Sequence, residues 1–152
     1  MKLNYKKIIY ESLIILLLSI LVGIFYNTFS KNGIPFIYKP IMLESGSFIT
    51  LEDAYRLNRE GQAIFLDSRS HEEYTTGHIR GAVNLPINGS REEKVKILIN
   101  IPKERLVVTY CDGSECKSSS ELARELMQIG YRRVVIFLGG LNEWKKSGNP
   151  IE

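Results

Sequence analysis

The sequence predicts an α/β domain with a mainly parallel sheet flanked by helices on both faces, preceded by one N-terminal transmembrane helix. Two observations predict this architecture. Short, continuously apolar segments, such as residues 63–66 and 106–110, alternate with segments that have helical periodicity. Alternation of buried strands and helices is typical of parallel sheets covered on both faces. In addition, an apolar stretch near the N-terminus is about as long as a bilayer is thick.

Length and charge narrow the range of functions. The chain has 152 residues, enough for one domain and an appendage. Hydrophobic residues make up 44% and charged residues 24%, which excludes collagen, coiled coils and global disorder. The net charge is +3, of which residues 1–30 contribute +2. The nearly neutral remainder has no clustered basic segment, so we expect no nucleic-acid partner.

The N-terminal segment, residues 1–30, is predicted to anchor the chain in a membrane. Residues 8–29 contain one charge, Glu11, and would span roughly 33 Å as a helix. Lys2, Lys6 and Lys7 precede the apolar stretch. Since positive charge stays in the cytoplasm, we expect a cytoplasmic N-terminus, a single pass, and a periplasmic or extracellular domain. A cleaved signal peptide, giving a secreted domain, is the alternative.

Residues 31–47 form a predicted linker with glycines and prolines, and residues 48–152 form the soluble domain. Ser90 and Glu93 have the spacing of a capping box and predict a helix start. The predicted strands are residues 48–49, 63–66, 82–84, 106–110 and 134–137. The predicted helices are residues 50–58, 71–75, 90–100, 117–129 and 141–146.

The residues that follow each strand are the candidates for function, because ligands of such sheets bind beyond the carboxyl ends of the strands. The loop after residues 106–110 consists of Cys111, Asp112, Gly113, Ser114, Glu115, Cys116 and Lys117. We expect backbone N–H groups and a helix N-terminus to stabilise the Cys111 thiolate and lower its pKa. Lys117 adds a cation to this loop, whereas Asp112 and Glu115 disfavour anionic substrates. Asp67 and Arg69 follow another strand and are expected to be supporting, structural residues, paired with each other or with Glu72 or Glu73.

Other interpretations of these residues stay open. A cysteine at a strand end can be a small buried hydrophobe. Cys116 lies five residues after Cys111, which is not the redox C-x-x-C spacing, but a curved loop could bring the two sulfurs together. Outside the cytoplasm such a pair could form a structural, regulatory or resolving disulfide. The two histidines and two cysteines lack metal-ligand spacing, so we expect no metal site.

Several motifs together resemble a single rhodanese-like domain. The first is FLDSRSHEEYTTGHIRGAVNLP, which contains Tyr74, His78, Ile79 and Gly81 at the family's positions, with Arg80 in place of the usual proline. The second is VVIFLGGLNEW, which is similar to the family's closing signature. VVTYC ends at the position of the family's nucleophilic cysteine, Cys111. The N-terminal anchor is similar to that of bacterial membrane-anchored members.

The resemblance implies a sulfurtransferase. Cys111 would attack a sulfane-sulfur donor, hold the sulfur as a persulfide, and pass it to a thiol or other nucleophile on a small molecule or a protein. The family needs no metal or organic cofactor. Related phosphatases use C-x5-R, but here the sixth position is Lys117, which lacks the bidentate guanidinium, so we expect no phosphatase activity. Cys116 stands where the common loop has its basic residue and is the second candidate for the nucleophile.

Two functions of other classes compete with sulfur transfer. One is a non-catalytic binding or sensing module on a rhodanese-like scaffold. The other is a thiol–disulfide redox protein that uses Cys111 and Cys116.

Overall fold

The structure is a computed structural model that describes residues 5–30 and 44–152. It divides into two compact units, Met1–Pro40 and Ile41–Glu152. Residues 31–43, most of the predicted linker, lie outside the described residues.

The described part of the first unit is the helix α1 (Tyr5–Phe29), of 25 residues, and Ser30 after it. Its apolar side chains are exposed along its whole length. The Ser19 hydroxyl donates to the Ile15 carbonyl at 2.6 Å and the Thr28 hydroxyl to the Ile24 carbonyl at 2.8 Å. The helix therefore satisfies these polar groups within itself, and it is long and apolar enough to span a bilayer.

The second unit is built on a wholly parallel sheet of four strands in the order β2-β1-β3-β4. The strands are β1 (Ile64–Asp67), β2 (Val83–Asn84), β3 (Val107–Tyr110) and β4 (Val134–Phe137). The helices are α2 (Leu51–Arg59), α3 (His71–Thr75), α4 (Arg91–Leu98), α5 (Ser118–Gln128) and α6 (Gly140–Lys146). The predicted fold class is confirmed.

Alternating strand residues pack against helices on the two faces of the sheet. On one face Phe65, Val108 and Val135 join a core with residues of α2 and α6, including Leu57 and Trp144. On the other face the core contains residues from β1, β3, β4, α4 and α5, among them Leu66, Val107, Val134, Leu98 and Leu122. This double burial explains why β3 and β4 are apolar without alternation.

The predicted first strand is the main difference in secondary structure. Phe48 forms only an isolated parallel bridge with Ile136 rather than a strand. The neighbouring Ile49 N–H donates to the Ile136 carbonyl at 2.9 Å, so the segment still lies beside β4. Because the segment pairs with β4 only over this short stretch and the Phe48 ring is exposed, no regular strand forms.

Candidate active site

The loop of residues 111–117 joins the carboxyl end of β3 to the start of α5. The first turn of α6 fixes its beginning: the Leu141 N–H donates to the Cys111 carbonyl at 2.8 Å and the Asn142 N–H to the Asp112 carbonyl at 2.9 Å. Gly140 lies against the same peptide, with a φ of +57°. A Cβ on Gly140 would stand 2.3 Å from the Cys111 carbonyl oxygen, so only glycine fits there.

Cys111 is fully buried beneath this loop. Its thiol lies 3.4 Å from the Cys116 carbonyl oxygen and 3.7 Å from the Gly113 carbonyl oxygen, both of which accept from it. The Ser119 hydroxyl is 3.5 Å away. Burial raises the pKa of Cys111, and a hydrogen bond to the Cys116 sulfur adds to this effect. The prediction of a lowered Cys111 pKa is therefore wrong, because burial outweighs the Ser119 hydroxyl and backbone N–H, which lower the pKa of this thiol.

The N–H groups of the loop instead surround Cys116. Burial opposes the charged form of this thiol, but donors from Cys111, from the Ser118 hydroxyl and from the Ser118 and Asp112 backbone together lower its pKa. Both cysteines are free thiols, and the Cys111 sulfur lies 3.4 Å from the carbonyl oxygen of Cys116. The lowered pKa that was predicted for the first cysteine of the loop is thus found at the second cysteine, Cys116.

A line of hydroxyl groups connects Cys116 to the sheet. The Cys116 sulfur is 3.1 Å from the Ser118 hydroxyl, which is 2.7 Å from the Ser68 hydroxyl. Ser68 in turn lies 2.9 Å from the Tyr110 carbonyl oxygen. The loop is thereby linked to the last residue of β3 and to the residue that follows β1.

Asp67 and Arg69 pair with each other, which is one of the pairings left open by the sequence, and the ion pair extends to the loop. Arg69 donates from Nη2 to the fully buried Asp67 carboxylate at 2.6 Å and from Nη1 to Asp112 at 3.2 Å. It also donates to the Gly77 carbonyl at 2.9 Å. Burial opposes the charged form of Arg69, but the hydrogen bond and the charge of Asp67 raise its pKa above the ordinary value. Arg69 stays charged and holds Asp112 at the mouth of the site.

Two open cavities adjoin the loop. The larger, of about 780 Å³, lies between the loop and α6. The smaller, of about 370 Å³, lies between the loop and the segments that follow β1 and β2. Asp112 and Cys116 line both cavities, whereas Cys111 lines neither of them. A substrate in either cavity would meet the sulfur of Cys116 first.

The larger cavity is predominantly acidic. Asp112, Glu115 and Glu143 contribute carboxylates, and Lys146 contributes the one ammonium group among its described lining residues. Lys117, the predicted cation, is exposed at the start of α5 and lines neither cavity.

The remaining predicted loop residues, Gly113 and Ser114, line the larger cavity as well. Ser68 follows a predicted strand, where site residues were expected, whereas Ser118, Ser119, Glu143 and Lys146 were not predicted from the sequence. A serine run at the start of a helix that follows a reactive loop was the available signal for Ser118 and Ser119. Glu143 and Lys146 come from α6, and only the folded chain brings that helix to the loop. Among the described residues, no three His, Cys, Asp or Glu side chains are grouped to hold a metal ion.

Comparison with known proteins identifies the family. The model of the rhodanese-like domain matches residues 50–147, which include β1 to β4 and the whole loop. The chain belongs to the rhodanese-like domain family. A crystal structure of protein BH2092 from Bacillus halodurans superposes with a TM-score of 0.63 at 28% identity, covering 70% of this chain and 77% of that one. This agreement confirms both the resemblance and the rhodanese-like fold.

Curated relatives carry the rhodanese-like domain in larger proteins. The HTH-type transcriptional regulator Rv0324 of Mycobacterium tuberculosis is 34% identical over 68% of this chain and 44% of its own length. The adenylyltransferase and sulfurtransferase uba4 of Ogataea parapolymorpha is 26% identical over 72% of this chain and 26% of its own length. The chain thus spans less than half of either relative. Relatives of the rhodanese-like domain therefore include both a sulfurtransferase and a regulator.

Proposed function

We propose that this chain is a membrane-anchored sulfurtransferase that carries sulfane sulfur as a persulfide on Cys111. The observation that supports this most directly is the pair of free thiols in the loop at the carboxyl end of β3, one of which lines two cavities. A sulfane donor has a sulfur that a thiolate attacks, and the donor's remaining part leaves with the electron pair of the broken bond. An acceptor thiol then removes the sulfur by the same type of attack.

The site also favours certain substrates. Sulfur donors and acceptors that enter through the larger cavity pass Asp112, Glu115 and Glu143, which repel anions. We infer that the acceptor is a neutral or cationic thiol, on a small molecule or on a protein. The apolar α1 helix would hold the reaction at a membrane surface, with the domain in the periplasm or outside the cell.

Intact mass spectrometry of the full-length chain in detergent tests sulfur transfer. After reduction and incubation with thiosulfate or inorganic polysulfide, we expect a gain of about 32 Da that a reducing thiol removes. Cys111→Ser should lose transfer to an added acceptor thiol. Absence of any sulfur gain in the wild-type chain would contradict the proposal and favour a binding module.

A thiol–disulfide redox protein is the second candidate, since two free thiols share one loop and the pKa values of Cys116 and Cys111 are shifted in opposite directions. This function would require both cysteines equally. It would show a loss of about 2 Da on oxidation and no sulfur gain on the reduced chain.

A further inference from the structure

The two thiols of the loop differ in what can reach them. Cys111 has no exposed surface and lines neither cavity, whereas Cys116 is partly exposed and lines both. The atoms closest to the Cys111 sulfur include two carbonyl oxygens, at 3.4 and 3.7 Å. While the loop holds this conformation, the sulfane sulfur of a donor that enters the site therefore cannot come within reach of attack by the Cys111 sulfur.

The surroundings of the two sulfurs also differ in which charge they stabilise. Carbonyl oxygens around Cys111 favour the protonated thiol, because they accept a hydrogen bond and repel a thiolate. Cys116 accepts from the Ser118 and Asp112 backbone N–H groups, and the Ser118 hydroxyl lies 3.1 Å from its sulfur. The accessible thiol is thus also the one prepared to react as a thiolate.

We propose that sulfur enters through Cys116 and reaches Cys111 by transfer within the loop. The inference rests on the proposed sulfurtransferase function and names the order of its steps. In the first step the Cys116 thiolate attacks the sulfane sulfur of the donor. The sulfur–sulfur bond of the donor breaks, its leaving group takes the electron pair, and Cys116 becomes a persulfide anion.

In the second step the sulfur moves between two thiols of one loop, in which the Cys111 sulfur lies 3.4 Å from the Cys116 carbonyl oxygen. The Cys111 thiol gives its proton to the terminal sulfur of the Cys116 persulfide. The Cys111 thiolate then attacks that terminal sulfur, and Cys116 leaves as a thiolate with the electron pair. The products are a Cys111 persulfide and a Cys116 thiolate ready for another donor, so no oxidant or reductant is consumed. Cys116 is a good leaving group because donors stabilise its thiolate.

A time course on the wild-type, full-length chain in detergent tests the order. The reduced protein is mixed with inorganic polysulfide, quenched with iodoacetamide at intervals, and cleaved after glutamate. Cleavage after Glu115 separates the two cysteines into different peptides. We expect the sulfur gain first on the Cys116 peptide and later on the Cys111 peptide. Appearance on Cys111 first would overturn the inference.

Variants give an independent measurement of the same order. Cys116→Ser should slow sulfur loading of Cys111 by at least about tenfold, whereas Cys111→Ser should still load sulfur on Cys116. Ser118→Ala should slow loading of Cys116 and move its pH midpoint upward. Ser120→Ala, in the same helical turn, is the matched control and should load normally. Unchanged loading of Cys111 in Cys116→Ser would overturn the inference but leave the sulfurtransferase proposal intact, while absence of loading in every protein would contradict both.

Discussion

Arg69 is the residue that connects the sheet to the active-site loop. It binds the fully buried Asp67 carboxylate and also reaches Asp112. Arg69→Leu would leave Asp67 buried without its partner, so we expect the free energy of unfolding to fall by about 3 kcal/mol. Denaturant titration followed by fluorescence measures this loss, because the only tryptophan, Trp144, is buried in the core of the domain.

Two further variants separate the contributions to this ion-pair network. Asp112→Asn removes only the exposed end of the network and should lower the free energy of unfolding by less than about 1 kcal/mol. Combining Arg69→Leu with Asp67→Leu should recover part of the loss, since no unpaired buried charge remains. Equal losses for the Arg69→Leu and Asp112→Asn variants would contradict a dominant role for the Asp67 contact.

The pKa shifts predict how the cysteines react with pH. The Cys116 pKa is lowered, so its thiolate should form at a lower pH than the thiolate of a free cysteine, and the half-maximum of its alkylation rate should shift to lower pH in the same way. The Cys111 pKa is raised and its sulfur is buried, so its alkylation should be slower and shifted to higher pH. Peptide-resolved iodoacetamide labelling measures both profiles. The urea-unfolded chain is the control, and coinciding profiles in the folded chain would contradict this prediction.

At the level of single residues, the position of the site could be predicted from the sequence, but the pKa shifts of its two cysteines could not. Cys111, Asp67 and Arg69 follow apolar strands, so their place at the carboxyl edge of the sheet could be predicted from local pattern. Which peptide groups face each sulfur depends on how the loop curves. That curve is fixed by hydrogen bonds from Leu141 and Asn142, about thirty residues away in sequence. Local sequence carries no signal for such a contact.

The start of α6 is the element that shapes the loop, and Gly140 makes the close approach possible. Gly140→Ala would require a left-handed backbone from alanine and would force its Cβ against the Cys111 carbonyl. We expect a loss of at least about 2 kcal/mol in the free energy of unfolding and slower sulfur loading. Denaturant titration and the mass assay measure the two effects.

Gly148→Ala is the matched control for this substitution. Gly148 also has a positive φ, +71°, but no described atom lies within 4 Å of the position of its Cβ. This variant should lose only the stability that an alanine at a positive φ costs, and it should load sulfur at the normal rate. If both alanine variants lose the same stability and load sulfur alike, the close contact of Gly140 with the loop has no functional consequence.

Helices and strands with strong local signals were predictable with near-correct bounds. The strand over Val134–Phe137 and the helix over His71–Thr75 match the prediction, and both hydrogen bonds of the predicted Ser90–Glu93 capping box are present. The prediction for residues 48–49 failed because an apolar pair of residues resembles a strand whether or not it finds a full partner. Here only one bridge, between Phe48 and Ile136, forms.

The charge of the whole site predicts a preference among acceptors. Glu115 and Glu143 should make the cationic thiol cysteamine a faster sulfur acceptor than the anionic 2-mercaptoethanesulfonate, by about fivefold at low salt, which corresponds to roughly 1 kcal/mol. Glu115→Gln combined with Glu143→Gln should remove most of this preference. Glu92→Gln, which lines neither cavity, is the control. Faster reaction with the anionic thiol would contradict the prediction.

The N-terminal helix predicts where the domain resides in the cell. Lys6 and Lys7 precede the apolar stretch of α1, so we expect them to stay in the cytoplasm and the rhodanese-like domain to be outside. Trypsin added to right-side-out cells or spheroplasts should degrade the domain without lysis. A cytoplasmic protein that survives the same treatment is the control. Protection of the domain until lysis would contradict the predicted orientation.

In the line of hydroxyl groups from Cys116 to the sheet, the charge of the Cys116 sulfur decides which group donates each hydrogen bond. Ser118 and Ser68 have one hydroxyl proton each, and their oxygens are 2.7 Å apart, so one must donate to the other. When Cys116 is a thiolate, Ser118 donates to sulfur and Ser68 donates to Ser118. When Cys116 is a protonated thiol it donates to Ser118, and Ser68 turns to the Tyr110 carbonyl at 2.9 Å. The vibrational frequency of that one carbonyl, isotopically labelled, therefore reports from within the sheet whether the sulfur is charged.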